Sequence, residues 1–198
     1  VFKYLNYSIW FAIAEFVDNS IQGFLNNKNN NKILNRKKCI VQINYSFSDD
    51  VLTITDNSFG IIERDHQRAF TAGIPPLNSS GLSEFGIGMK SAAIWFSPNW
   101  TVITQPFNTE IEYRYDFVLS EILSGNGNLT PSLKKSISKK GFTTIILKEL
   151  HHKINKKNIK LLKNNLRFIY RNFLREKSLE IYFNDQKLLF EEVEILED

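Results

Sequence analysis

Glu15, Asp18 and Asn19 stand close together in the stretch AEFVDNSIQGF. On a helix, residues three and four apart share a face, so this spacing gathers two carboxylates and an amide at one place. The surrounding residues are apolar, and polar groups on such a face cost desolvation unless they are partnered. A metal ion or a polar ligand would supply the partners; a surface hydrogen-bond cluster is the other reading. Further along, Gly86 and Gly88 lead into GMKSAAIWF, with Lys90 inside the apolar run. Bare backbone N–H groups at the mouth of a helix suit an anion such as phosphate; a tight turn before a core helix would use the same residues. Asp56 closes the run VLTITD. An ionised Asp only accepts hydrogen bonds, so it fits an exocyclic amine such as that of adenine. Gly60 would allow a flat ring to approach the backbone, although Asp-Asn-Ser is also ordinary turn chemistry. In GFTTII, either Thr143 or Thr144 turns a hydroxyl toward the core, or both are there for strand propensity.

The elements that must position these groups follow from periodicity. Apolar residues from Tyr4 to Phe24 recur at helical spacing and predict one amphipathic helix. CIVQINYSF and VLTITD predict a hairpin, as their β-branched residues flank a turn. Ile62 to Phe70 predicts a short helix, Thr71 to Gly86 a long loop, and Ile87 to Phe96 a helix. Trp100 to Gln105, Glu110 to Val118 and GFTTIILKEL predict strands. Asn155 to Leu174 predicts a basic helix with Ile159, Leu162, Leu166, Ile169, Tyr170 and Phe173 on its apolar side. LEIYFNDQKLLF predicts a closing hairpin with Asn184-Asp185 at the turn, and NNKNNNK reads as a flexible loop. The order implies an α+β protein: a two-layer sandwich with one mixed sheet and helices on one face.

The chain has 198 residues, 42% of them hydrophobic and 23% charged, and sixteen are phenylalanine, as expected of a globular core. No apolar run approaches the ~20 residues of a membrane helix. With Cys39 alone, neither an internal disulfide nor a cysteine metal cluster forms, and an intracellular setting is expected. Net charge is +4, yet Ser132 to Lys177 carries fourteen Lys or Arg against Glu149 and Glu176. That block would suit an acidic partner such as DNA, or be a solvated helix face.

Taken in order, the Glu-x-x-Asp-Asn helix, the strand ending in Asp-x-x-x-Gly, the long loop into Gly-x-Gly and the Thr-bearing strand resemble the GHKL ATPases, from about Tyr7 to Leu147. These include DNA gyrase B, the ninety-kilodalton heat-shock chaperones, histidine kinases and MutL. EFGIGMKSA is similar to MORC-type ATPases and their bacterial relatives. The resemblance implies a Bergerat-type ATP-binding fold over residues 1–150, with 151–198 leading toward a transducer-like domain of a longer protein. It implies that Glu15 activates water, that Asn19 holds Mg²⁺, and that Asp18 supports them. It further implies that Asp56 reads the adenine amine with Thr143, chosen over Thr144 because the family pattern is Thr-x-aliphatic-x-aliphatic, and that Gly60 and Ile61 line the adenine pocket. Gly86, Ile87, Gly88, Met89 and Lys90 would wrap the phosphates beneath a lid from Thr71 to Phe85. Slow ATP hydrolysis, ATP-dependent homodimerisation and a DNA or protein client are the implied behaviour; the localisation would be cytoplasmic in a bacterium or nuclear in a eukaryote.

One residue departs from the pattern. Ser58 stands where the family has glycine, and a left-handed φ there would cost a serine about 1 kcal/mol. Three rivals remain: a histidine kinase catalytic domain, a nucleotide-gated binding module with little turnover, and an unrelated α/β domain with coincidental motifs.

Overall fold

The computed structural model describes residues 7–70, 88–124 and 130–190. In chain order the elements are α1 (Ile9–Asn26), α2 (Lys28–Ile33), β1 (Cys39–Ser46), β2 (Val51–Asp56), α3 (Glu63–Phe70), α4 (Gly88–Phe96), β3 (Asn99–Gln105) and β4 (Ile111–Val118). There follow α5 (Leu119–Leu123), β5 (Ser132–Lys135), β6 (Phe142–Lys148), α6 (Lys156–Ile169), α7 (Arg171–Arg175), β7 (Leu179–Phe183) and β8 (Gln186–Lys187). The strands form one mixed sheet in the order β5-β4-β3-β6-β2-β1-β7-β8. Only the β1–β7 pair is parallel among the described strands.

Alternation along the strands sets which face is buried. Val41 and Ile43 of β1, Leu52 and Ile54 of β2, Ile145 and Leu147 of β6, Val102 of β3 and Ile181 and Phe183 of β7 all lie in the core. Ala12, Ile13, Phe16, Val17 and Ile21 of α1 cover them, and α1 packs in turn against α4 and α6. This is the expected α+β two-layer arrangement.

Three local expectations change. The asparagine-rich stretch is not a loop: Lys28–Ile33 is helical, because Asn27 and Asn31 donate to the Gly23 and Phe24 carbonyls at 2.8 and 2.7 Å. These side chains bond to the last carbonyls of α1, where the helix's own N–H donors run out. The single helix expected over Asn155–Leu174 is two, with Tyr170 between α6 and α7. The edge strand β5 was not foreseen; all four of its residues are exposed, so it carries no alternation to read. The loop Thr71 to Phe85, with Gly86 and Ile87, lies outside the described residues.

Candidate functional site

Register brings the polar groups together. Asp56 pairs with Thr143 across β2 and β6, and Thr143 pairs with Thr104 across β6 and β3. All three lie on the face turned to the helices, at the end where β2 stops. Thr144 lies on the other face, 3.0 Å from the Thr55 hydroxyl. Of the two threonines, Thr143 is therefore the one on the buried side, where it is 8% exposed.

Four donors meet Asp56. Ser58 donates its backbone N–H to Oδ1 at 2.9 Å and also its hydroxyl, and the Thr143 N–H reaches the same oxygen at 3.2 Å. Ser20, one turn above Phe16 on α1, donates to Oδ2 at 2.9 Å. With three donors on Oδ1 and one on Oδ2, Oδ2 is the oxygen with acceptor capacity left. Burial lifts the Asp56 pKa above its ordinary value, and the Ser58, Ser20 and Thr143 donors pull it back.

The segment after Asp56 is held from two sides. Arg36 donates to the Asn57 carbonyl at 2.8 Å, and the Ile61 N–H donates to the Thr104 hydroxyl at 2.8 Å. Gly60 has φ +66°, and a Cβ there would stand 2.0 Å from the Gln105 carbonyl oxygen. Glycine is required by the backbone crossing beneath it, as well as by its left-handed φ. Ser58 takes no left-handed φ. The strain expected of a serine at this position is absent, and its side chain is instead a ligand of Asp56.

On α1, Asn19 Nδ2 donates to the Glu15 carbonyl, four residues back. That fixes the amide and leaves Oδ1 as its open atom, with no donor to it among the described residues. Glu15 lies against the start of α4: a Cβ built on Gly88 would come within 2.0 Å of Glu15 Oε2. A bulkier residue at 88 would push this carboxylate aside. Burial, and then the charge of Asp18, raise the Glu15 pKa. Burial raises that of Asp18 as well, opposed by the Tyr170 hydroxyl, which donates to Asp18 Oδ1 at 2.7 Å.

Asn19, Asp56, Ser58, Gly60, Ile61, Met89 and Thr143 line one cavity of about 160 Å³, with Phe16, Gly23, Ile145, Arg68 and Ala69 completing its wall. Among the described residues, four expected ones do not line it: Glu15 and Gly88, which meet each other at the start of α4, and Asp18 and Lys90. Lys90 is 7% exposed, and its ammonium donates to the Arg68 carbonyl at 3.2 Å on α3; burial, then the Arg68 charge, lower its pKa. Asp18 faces Tyr170. Sequence reading missed Ser20, Arg68, Thr104 and the Tyr170 hydroxyl. For Ser20 and Thr104 the signal is a small hydroxyl residue on an otherwise apolar face, which is weak alone. Tyr170 reads as an apolar helix residue, and nothing local marks its hydroxyl.

The arrangement can do three things. Asp56 can accept from an amine in the cavity, Asn19 Oδ1 can ligate a hard cation, and Glu15 can accept a proton beside the N-terminus of α4. A family model described as histidine kinase-, DNA gyrase B-, and HSP90-like ATPase matches residues 7–158. No curated protein matches the chain. Among solved structures, the ATPase and transducer domains of DNA topoisomerase II from Balamuthia mandrillaris are similar, with a TM-score of 0.60 at 13% identity. The likeness covers 90% of this chain and 48% of that one, so the chain spans about half the length of that structure.

Proposed function

The chain belongs to the histidine kinase-, DNA gyrase B-, and HSP90-like ATPases, and from that premise we propose that it binds ATP in the cavity between α1, β2 and α4 and hydrolyses it slowly. The four-donor shell of Asp56 carries the reading. It holds a buried carboxylate with one oxygen left for the adenine amine, and Thr143 and Thr104 stand beside it. Glu15 is the base that takes a proton from the attacking water; its raised pKa brings it nearer neutrality, where a general base works best. A histidine kinase needs no such base, so Glu15 favours hydrolysis over transfer to a protein histidine.

The donor set fits Mg²⁺, since Asn19 Oδ1 is oriented by its own amide and a hard cation accepts an amide oxygen with phosphate oxygens and water. When bound, Mg²⁺ supplies charge neutralisation at the phosphates. Gly86, Ile87, Gly88 and Met89 contribute backbone N–H groups to the same anion, and α4 adds its dipole. ATP-dependent pairing of two copies is the output. DNA is the favoured client, supported by exposed Lys134, Lys135, Lys156, Lys157 and Lys160.

Isothermal titration of ATP and a non-hydrolysable analogue, with and without Mg²⁺, is the test. Mg²⁺-strengthened binding that Asp56→Asn abolishes is expected. Equal binding by the Asp56→Asn protein would place the nucleotide elsewhere.

A further inference from the structure

Helix α3 has two faces with different jobs. His66 and Phe70 hold it to the sheet: His66 Nδ1 lies 2.7 Å from the Tyr115 hydroxyl, His66 Nε2 lies 2.7 Å from the Ile61 carbonyl, and the Phe70 ring is 4.3 Å from that of Tyr115. Arg68 lies two residues from each, about 200° around the helix. It joins Ala69 in the cavity wall. Its guanidinium is poorly satisfied: Nε is buried with no hydrogen-bond partner among the described residues. Among the described residues its one ion pair is to Asp65, 3.6 Å from a terminal nitrogen and beyond hydrogen-bond range. A buried N–H without an acceptor is costly, so the position calls for one.

The neighbouring charge identifies the acceptor's class. The Lys90 ammonium sits on the Arg68 carbonyl, which places α3 over the first turn of α4, where Met89 meets the cavity. Burial, and after it the Arg68 charge, lowers the Lys90 pKa. A multiply charged anion at that end supplies the acceptor that Arg68 Nε lacks, and a guanidinium offers phosphate a two-pronged fork that no ammonium matches.

We propose that Arg68 binds the polyphosphate of the nucleotide, donating from Nε and a terminal nitrogen to phosphate oxygens. The assignment rests on the ATP reading above. It makes α3 a phosphate sensor, anchored through His66 to Ile61, a residue of the same cavity wall.

The experiment is titration of ATP, ADP and adenosine, the nucleotides with Mg²⁺, into the wild type, Arg68→Ala and Arg68→Lys. Adenosine reports the folded adenine pocket without phosphates. Arg68→Ala is expected to weaken ATP by about tenfold or more, the size of a lost charge-assisted hydrogen bond, with adenosine unchanged and Arg68→Lys intermediate. An equal loss for ATP, ADP and adenosine would make Arg68 a structural residue, and unchanged ATP affinity would overturn the assignment outright. A wild type that binds adenosine as tightly as ATP overturns Arg68 while leaving the adenine pocket standing. A wild type that binds none of the three removes the ATP reading and this inference together.

Discussion

Buried and half-buried carboxylates occur in two settings, and the protein treats them oppositely. Glu180 on β7 is 8% exposed and finished by the chain itself. Lys38 and Lys187 both pair with it, the latter at 2.7 Å, and the Tyr182 hydroxyl donates at 2.9 Å. Those partners, Lys187 first, hold its pKa down at about 2. Glu15, Asp18 and Asp56 have no cation paired to them among the described residues, and burial raises all three. One carboxylate stabilises the fold. The others are held in place by hydroxyls and backbone groups but left short of positive charge, as suits groups that a ligand completes.

The largest effect that could break this contrast is at Glu15. Glu15→Gln keeps the shape and removes the base, so turnover of Mg-ATP should fall by about 10²–10⁴-fold with ATP affinity nearly unchanged. Because the charge is poorly compensated beside Asp18, stability in urea should hold or rise. A drop of several kcal/mol would put Glu15 in the same class as Glu180 and end its claim to catalysis.

Glu180→Gln should do the reverse. It leaves Lys38 and Lys187 facing each other without their counter-charge. The cost should be about 1–3 kcal/mol, less than for a fully buried pair because both lysines are partly solvated. ATP affinity should not change; a coupled loss in the titration would mean that β7 and the cavity are not independent.

The two settings also predict opposite pH responses. Glu180 has a depressed folded pKa, so its contribution is present above its unfolded value and is lost as pH falls toward about 2. The three site carboxylates have raised folded values, so their contribution is fully present below the unfolded values and is lost as pH rises through the folded ones. The melting temperature of the nucleotide-free protein should rise as pH drops from neutral into the mildly acidic range, then fall as Glu180 protonates. ATP affinity should decline over the interval in which stability rises, since Asp56 must be ionised to take the amine. A melting curve that falls steadily from neutral pH, unchanged in Glu15→Gln, would deny the site its electrostatic cost.

Alternation and spacing are what made most of this legible. Strand period placed Asp56 at the end of a buried run and left Thr143 and Thr144 to be separated by the family pattern, and helical spacing put Glu15 with Asn19. The remainder depends on contacts far apart in sequence. Tyr170 reaches Asp18 across 152 positions, which no local pattern reports. Arg68 reads as one more charge on a short polar helix until the sheet anchors that helix through His66. Lys90 was expected on the phosphates, but a lysine in a helix entry can turn either way, and here it turns to α3. The α2 helix was illegible because its asparagines are poor helix formers that earn their place by bonding to the end of α1.

The smallest effect is at Ser58 and tests how complete the Asp56 shell is. Ser58→Gly restores the residue that the family resemblance leads one to expect. If serine were strained there, glycine would stabilise the protein. Ser58 takes no left-handed φ, so no strain is available to release, and glycine adds backbone freedom to the unfolded chain. It also removes one of three donors on Asp56 Oδ1 while keeping the other Ser58 donor, the backbone N–H. Asp56 then holds its proton to a slightly higher pH. The expected outcome is a loss of less than about 1 kcal/mol in denaturant unfolding, with a small fall in ATP affinity that grows as pH drops. A gain in stability would mean that the serine is tolerated, not used, and would remove the hydroxyl from the set of groups that prepare Asp56 for its ligand.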